Sequence, residues 1–393
     1  MMIPLLSALL AGLVQADLAD ARLFRAERPG VDAAAVGTVQ AWEAGAPVWV
    51  AADGSSEVVE DWLSLEFPQT TLAQTPEAAW QMVLADGGMV QGVPTAMADG
   101  KPGFQIHGLG LGTGVMPLDT LWLVRLGRQR LPEAEEEQDV LWAVTPKGDR
   151  DVQRGYFLEW TQEGVLFEGP GGDRLFTWEN LSGVGLLPEP LPMPEQAVWV
   201  ELRHGSTFSA EVISLDQEFL RMRLPWGATW QVPREELVRL RRRAGLTSLH
   251  DALWAVPEKP ESAAMNWQPK VGRAVEGGFL QVAQQRFAEG FGVRAPTTMQ
   301  LGLSSPGVFF VSVGVDDQVE HFYRPQPLRF EILLDGQTLA EVARQEVGEP
   351  ARSMVVTVPR AGELSLRVSG IKGLSFGGHG NWLDMQFLAK TAE

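Results

Sequence analysis

The sequence predicts an all-β protein, small SH3- or Sm-like β-barrels followed by a β-sandwich, on three observations. Its 393 residues are 45% hydrophobic and hold 42 Gly and 26 Pro, the balance of a turn-rich globular chain long enough for two or three domains. Apolar residues recur at every second position in many short runs, the period of a half-buried strand. A unit of about 50 residues also recurs, an alternating strand, a Gly turn, further strands and a short turn feeding a last strand, as stacked small β-units require.

Taken in order, residues 1–16 are a short apolar run ending Val14-Gln15-Ala16. They are expected to be a signal peptide cleaved after Ala16, which implies a secreted, periplasmic or cell-surface protein; the alternative is a buried N-terminal helix. The run is too short for a membrane span. Asp17–Arg28 reads as a helix, and Pro47–Ala52 and Trp62–Phe67 as strands around the turn Asp53-Gly54-Ser55-Ser56.

Residues 17–130 are read as a β-rich N-terminal region holding the first repeat, from Trp80–Gly88 to Met116–Leu126; the next two repeats are 139–187 and 197–243. The acidic, Pro-rich joins Leu131–Gln138 and Leu187–Gln196 separate them. Their expected partners are proteins. Eleven of 14 Trp precede residue 246, most alternating with aliphatics as core residues do. Trp226 and Trp230 flank Gly227 at a hairpin tip, where an indole could instead stack on a sugar face.

The last third, 246–393, reads as a sandwich complete in itself and able to fold alone. Val311, Val313 and Val315 alternate along a strand that stops at Asp316-Asp317, and Gly290 and Gly292 flank Phe291 where one backbone must approach another closely. Four ordered motifs carry a resemblance: Gly290-Phe291-Gly292-Val293-Arg294-Ala295-Pro296, Val313-Gly314-Val315-Asp316-Asp317, Phe330-Glu331-Ile332-Leu333-Leu334-Asp335-Gly336, and Gly378-His379-Gly380-Asn381-Trp382-Leu383-Asp384. Over about 246–390 the chain resembles the NPCBM family of carbohydrate-binding modules, found on secreted bacterial proteins and glycosidases. The resemblance implies a jelly-roll-like β-sandwich and a glycan or polysaccharide partner. Gly378 and Asn381 stand where that family's pattern has acids.

Charge narrows the partners further. Residues 1–245 hold 19 Lys and Arg against 34 Asp and Glu, and residues 246–393 hold 13 against 16. The field of the first part repels phosphate backbones and anionic lipid, so neither nucleic-acid binding nor membrane insertion is expected. The one basic run, Arg239, Arg241, Arg242 and Arg243, reads as a solvated face. With no cysteine there is no disulfide, thiolate nucleophile or Cys-ligated metal.

No catalytic motif is found. The glycine run Gly108–Gly114 lacks the flanking strand, helix and acid of a phosphate-cradling loop and reads as a hairpin loop. His107, His204, His250, His321 and His379 show no metal spacing. The expectation is therefore a binding protein and not an enzyme. A glycoside hydrolase hidden in residues 20–245 and a structural cell-surface or assembly protein stand as alternatives.

The candidate carbohydrate-binding residues are Arg294, Asp316, Asp317, His379, Asn381 and Trp382. All flank strand ends, where sandwiches present rim sites. Arg294 offers a forked donor to adjacent hydroxyls, His379 a hydroxyl contact in a Gly-rich loop, and Trp382 an indole that reads more readily as core. Asp316-Asp317 suits turn capping, and equally a sugar hydroxyl or a structural calcium held by oxygen ligands.

Overall fold

The structure, a computed structural model, describes residues 21–67, 80–84, 88–96, 102–106, 121–126, 138–145, 149–187, 194–243, 245–249, 252, 254–255, 268–278, 280–283, 285–287, 289–321, 325–371 and 378–390. The proposed signal peptide, the Gly108–Gly114 loop, His107, His250 and most of both acidic joins lie outside them. The described residues are almost wholly β, and they fall into two compact units: Val36–Glu60 with Leu65–Arg242, and Arg22–Ala35 with Asp61–Ser64 and Arg243–Glu393.

The first unit contains small barrels closed by one repeated device. Asp139–Val144, Arg150–Trp160, Gly164–Gly169 and Gly172–Thr177 form an antiparallel meander. A 3-10 turn at Trp178–Asn180 then feeds Leu181–Gly185, which pairs back on the first strand with Leu141 opposite Val184. Ala197–Leu202, Thr207–Leu215, Phe219–Arg223 and Thr229–Pro233 repeat the meander, and the turn Arg234–Glu236 feeds Leu237–Arg242, with Leu240 opposite Val200. Earlier, Leu121–Leu126 pairs back on Trp80–Leu84 in the same way.

Closure removes sheet edges, and the second strand of each complete barrel bends at a bulge, at Phe157/Glu159 and at Val212/Ser214. Trp230 is core, edge-on to Phe208 at 5.4 Å, and Trp226 lies half-buried against it at 6.0 Å.

The basic run departs from its expected exposure. Arg239 and Arg241 are each 2% exposed. Arg239 donates from Nε to Glu201 Oε2 at 3.0 Å, and the Arg241 guanidinium lies 5.7 Å from the centre of the Trp199 ring. A strand buried on both faces can hold guanidinium groups only where a carboxylate or an aromatic face receives them, and neither partner is adjacent in sequence.

Asp17–Arg28 departs too. Ala21–Arg25 is a strand, its local helical pattern overridden by tertiary pairing. The turn at Asp53 is as expected, with its carboxylate accepting from the Ser55 N–H and hydroxyl.

In the second unit the strands, numbered in chain order, are β1 Gly30–Val31, β2 Leu246–Ser248, β3 Lys270–Val271, β4 Leu280–Val282, β5 Gln285–Phe287, β6 Gly290–Arg294, β7 Thr297–Leu303, β8 Gly307–Val315, β9 Leu328–Leu334, β10 Gln337–Gln345, β11 Arg352–Val358, β12 Gly362–Gly370 and β13 His379–Ala389. One sheet runs β1-β11-β8-β13-β6-β3 with β2 on β13; the other runs β7-β12-β9-β10. Phe309, Val311, Val313, Val315 and Trp382 from the first sheet meet Phe330, Ile332, Leu364, Leu366 and Val368 from the second in one core. This is the jelly-roll-like sandwich.

Two expectations about glycine hold. A Cβ at Gly290, where φ is +143°, would lie 2.2 Å from the Trp382 carbonyl oxygen, and one at Gly292 would lie 2.3 Å from that of Arg273. No side chain fits either place. Asp335-Gly336, both at positive φ, makes the tight β9-β10 hairpin.

The unit also takes in chain from far upstream. β1 pairs with β11, Gly30 opposite Val355 and Val31 opposite Met354, and Phe24, Ala26 and Leu63 pack with Val308, Phe310 and Val355. Reading 17–130 as one region did not foresee this.

Candidate functional site

Three neighbouring strands of the larger sheet end together, and the sequence explains why their ends carry polar groups. β6 stops at Arg294 before Ala295-Pro296, β8 stops at Val315 before the Asp316 turn, and β13 starts at His379 after a glycine. Antiparallel register brings these ends side by side: Arg294 lies opposite His379, and Val315 opposite Gly380. The Asp316 N–H donates to the His379 carbonyl at 3.0 Å. Four of the candidate residues, Arg294, Asp316, His379 and Asn381, therefore gather at one rim, with Asp317 next along the chain.

Burial divides them. Asp316 and Asn381 are fully buried and His379 is 2% exposed, whereas Arg294 and Asp317 are half-buried. Asp316 accepts the Gln318 N–H at 2.9 Å on Oδ1 and the Asn381 side-chain amide at 2.8 Å on Oδ2. The turn Asp317–His321 is capped this way. Burial raises the Asp316 carboxyl to about 6, although those two hydrogen bonds act in the opposite direction and neighbouring Asp317 adds to the rise.

The carboxylate thus has an N–H donor on each oxygen. Among the described residues, no group of three or more His, Asp or Glu side chains is placed to hold a metal.

Asp317 Oδ1 accepts the Ala283 N–H at 2.7 Å and so fastens the β4-β5 hairpin over the rim. His379 Nε2 lies 3.6 Å from Glu276 Oε1, a side chain 48% exposed. Burial holds the His379 imidazole below its ordinary value of 6.5; Glu276 pulls it back up, while Arg294 and Lys270 lower it further.

Trp382 points the other way. It is fully buried, edge-on to Phe330 at 5.3 Å, in the core between the sheets. The accessible rim is then Arg294, Lys270, Glu276, Asp317 and Gln318, standing on a buried scaffold of Asp316, His379 and Asn381. Sequence reasoning missed Lys270, Glu276 and Gln318. Only the Asp316-x-Gln318 turn spacing could have pointed to the last of them, since the other two sit in an irregular segment without a motif.

Two buried acceptors, Asn381 Oδ1 and Gln318 Oε1, have no hydrogen-bond donor. Gln318 spends its amide on the Gly277 carbonyl at 2.6 Å, which anchors the segment carrying Glu276. The accessible rim offers cations, Arg294 and Lys270, and carboxylates, Glu276 and Asp317, within a few strand spacings. Such a mixture hydrogen-bonds hydroxyl groups.

The Gly-Phe-Gly strand, the Val-Gly-Val-Asp-Asp strand end, the Asp-Gly hairpin and the terminal His-Gly-Asn-Trp strand now stand in one sandwich. Residues 251–388 match the NPCBM/NEW2 domain family. The match covers this unit of the chain only.

Among solved structures, the chain is similar to the CBM51-2 and INT domains of Clostridium perfringens ZmpB, solved with GlcNAc, at 20% identity over 44% of this chain and 38% of that one, TM-score 0.33. This chain thus spans well under half of that structure. The CBM51 of Clostridium perfringens GH95, in complex with methyl-galactose, is 17% identical over 36% of this chain and 99% of that one, TM-score 0.31. The tandem CBM51 modules of the family 98 glycoside hydrolase from Streptococcus pneumoniae are 10% identical over 64% and 88%, TM-score 0.32. A comparison with curated proteins found no match.

Proposed function

We propose that this protein binds carbohydrate through the rim of its NPCBM/NEW2 sandwich, and that it does so for targeting or adhesion without itself catalysing a reaction. The observation that carries the reading is the NPCBM/NEW2 match over 251–388, which ends on the very strand, β13, that supplies His379 and Asn381. Arg294 supplies a forked donor and Asp317 and Glu276 supply acceptors, the complement of a sugar's vicinal hydroxyls.

Each such hydrogen bond contributes roughly 0.5–1.5 kcal/mol, so two or three contribute about 1–4.5 kcal/mol and give at best about millimolar affinity. Binding of that strength serves targeting when several copies or further modules add avidity. The small barrels are assigned to protein contacts, and the protein to a place outside the cytoplasm, where polymeric glycans are met. Among the described residues no helix is long and apolar enough to cross a membrane.

The test is a glycan array probed with the full chain. Retention of a defined glycan class supports the proposal; a blank array, with the chain folded, contradicts it.

A further inference from the structure

The two complete barrels of the first unit share one plan, and their outward faces differ. In the barrel of residues 139–187, Trp160, Val165, Phe167 and Phe176 lie on one side of the meander and are buried in its core. The alternate residues form two rows on the other side. Tyr156 stands opposite Glu168, and Glu168 opposite Asp173; Glu159 stands opposite Leu166, and Leu166 opposite Leu175, with Leu158 as the extra residue of the bulge. Tyr156 is 53% exposed, Leu158 40% and Leu175 39%; Leu166 is half-buried, and the three carboxylates are exposed.

The barrel of residues 197–242 has the same two rows around its own bulge. Glu211 stands opposite Arg223, and Arg223 opposite Thr229; Ser214 stands opposite Arg221, and Arg221 opposite Gln231, with Ile213 as the extra residue. Charge is balanced within that face, where Arg223 Nη1 lies 3.0 Å from Glu211 Oε2. The scaffold therefore requires neither leucines nor carboxylates alone at these places. In the 139–187 barrel Leu166 takes the place of Arg221, Glu168 that of Arg223 and Leu175 that of Gln231. Its two rows hold no Lys or Arg. Arg174 stands in the row of Phe157 and Phe167, its guanidinium 5.0 Å from the centre of the Phe176 ring, and Arg154 precedes Tyr156 by two residues, outside both rows.

We infer that this outward face is a docking surface for a basic amphipathic segment of another protein. The segment's apolar side chains cover Tyr156, Leu158, Leu166 and Leu175, and its Lys or Arg side chains meet Glu159, Glu168 and Asp173. Apolar side chains gathered in one exposed patch mark a contact surface, and the carboxylates set among them select a partner of opposite charge. A second copy docked face to face would bring carboxylate against carboxylate, and nucleic acid or anionic lipid is repelled in the same way. The inference gives the protein contacts assigned to the barrels a place and a partner chemistry. It does not depend on the glycan reading, and the substitutions that test it leave the sandwich rim untouched.

The test is a titration of the full chain with a short fluorescent peptide of alternating Leu and Lys, and with its Leu and Glu counterpart, at physiological ionic strength. Three variants accompany wild type. Leu158→Ser with Leu175→Gln removes apolar surface at constant charge and gives position 175 the residue type of its counterpart in the next barrel. Glu168→Gln removes one carboxylate from the face, and Glu346→Gln removes one from an exposed position on the sandwich. Wild type is expected to bind the Leu-Lys peptide and not the Leu-Glu peptide. The double variant should bind at least about tenfold more weakly and Glu168→Gln about three- to tenfold more weakly, with Glu346→Gln unchanged. If the double variant does not fold, Glu168→Gln against Glu346→Gln decides. Absence of binding by wild type, equal affinity for wild type and a folded double variant, or equal losses for Glu168→Gln and Glu346→Gln would overturn the inference. Self-association of wild type that the double variant abolishes would overturn it too, by assigning the face to a second copy.

Discussion

The side-chain amide of Asn381 donates to the fully buried carboxylate of Asp316 at 2.8 Å, joining the first turn of the last strand to the end of the strand beside it. Asp316→Ala leaves both the Asn381 amide and the Gln318 N–H without their acceptor, a loss of about 2–4 kcal/mol for two buried donors. Denaturant unfolding of the sandwich measures it, and a change below about 0.5 kcal/mol would mean that the bond contributes little.

The same carboxyl makes stability depend on pH. Burial raises it from 3.8 to about 6, so the folded state holds its proton more tightly than the unfolded state does. Stability should rise as pH falls through 6 toward 3.8, by roughly 3 kcal/mol in all. His379 acts in the opposite sense: its lowered pKa favours the neutral imidazole, and its contribution is lost as pH drops below 6.5. Asp316→Asn keeps an acceptor for the Gln318 N–H and deletes the carboxyl titration, while its new amide meets the Asn381 side chain in place of Oδ2, an offset in stability that does not vary with pH. Its urea midpoint should therefore fall more steeply on acidification between pH 6.5 and 4 than that of wild type. Parallel curves would show that Asp316 is not the group responsible.

Trp382→Ala should act on the core and not on recognition. The indole is fully buried against Phe330, and replacing such a side chain by alanine costs about 3–5 kcal/mol. The sandwich should then melt far earlier than wild type. Trp382→Phe, which keeps an aromatic ring on Phe330, should recover more than half of the loss.

In the first unit, Glu201→Ala leaves Arg239 charged and buried, which costs about 3–5 kcal/mol when one partner of such a pair is removed. Glu201→Ala with Arg239→Met should be more stable than Glu201→Ala alone. Thermal melts of the two variants give the comparison, and equal values would show that the pair is not coupled.

How much of this was legible depended on whether the cause was local. The sandwich strands could be read because period-two alternation, Gly290 and Gly292 beneath passing backbones, and the Asp335-Gly336 hairpin each announce their geometry within a few residues. The gathering of Arg294, Asp316, His379 and Asn381 could be read from strand ends alone. Their burial could not, because the β4-β5 hairpin and the Lys270–Gly278 segment that cover them are set by contacts such as Ala283 to Asp317 and Gln318 to Gly277. The upstream segment was misread for the same reason: Ala21–Arg25 has no strand signature of its own, and its partners lie far away in the sequence. The arginine run was misread because Glu201 and Trp199 receive it from another strand.

Calorimetry of the full chain with a glycan that the array identifies, repeated for Arg294→Ala, tests the central claim most directly. Arg294 is half-buried at the rim and is not among the residues filling the core. The account predicts affinity weakened by about tenfold or more, the loss of at least one hydrogen bond from a charged donor, with the melting temperature within a degree or two of wild type. Unchanged affinity in a folded Arg294→Ala chain would contradict it.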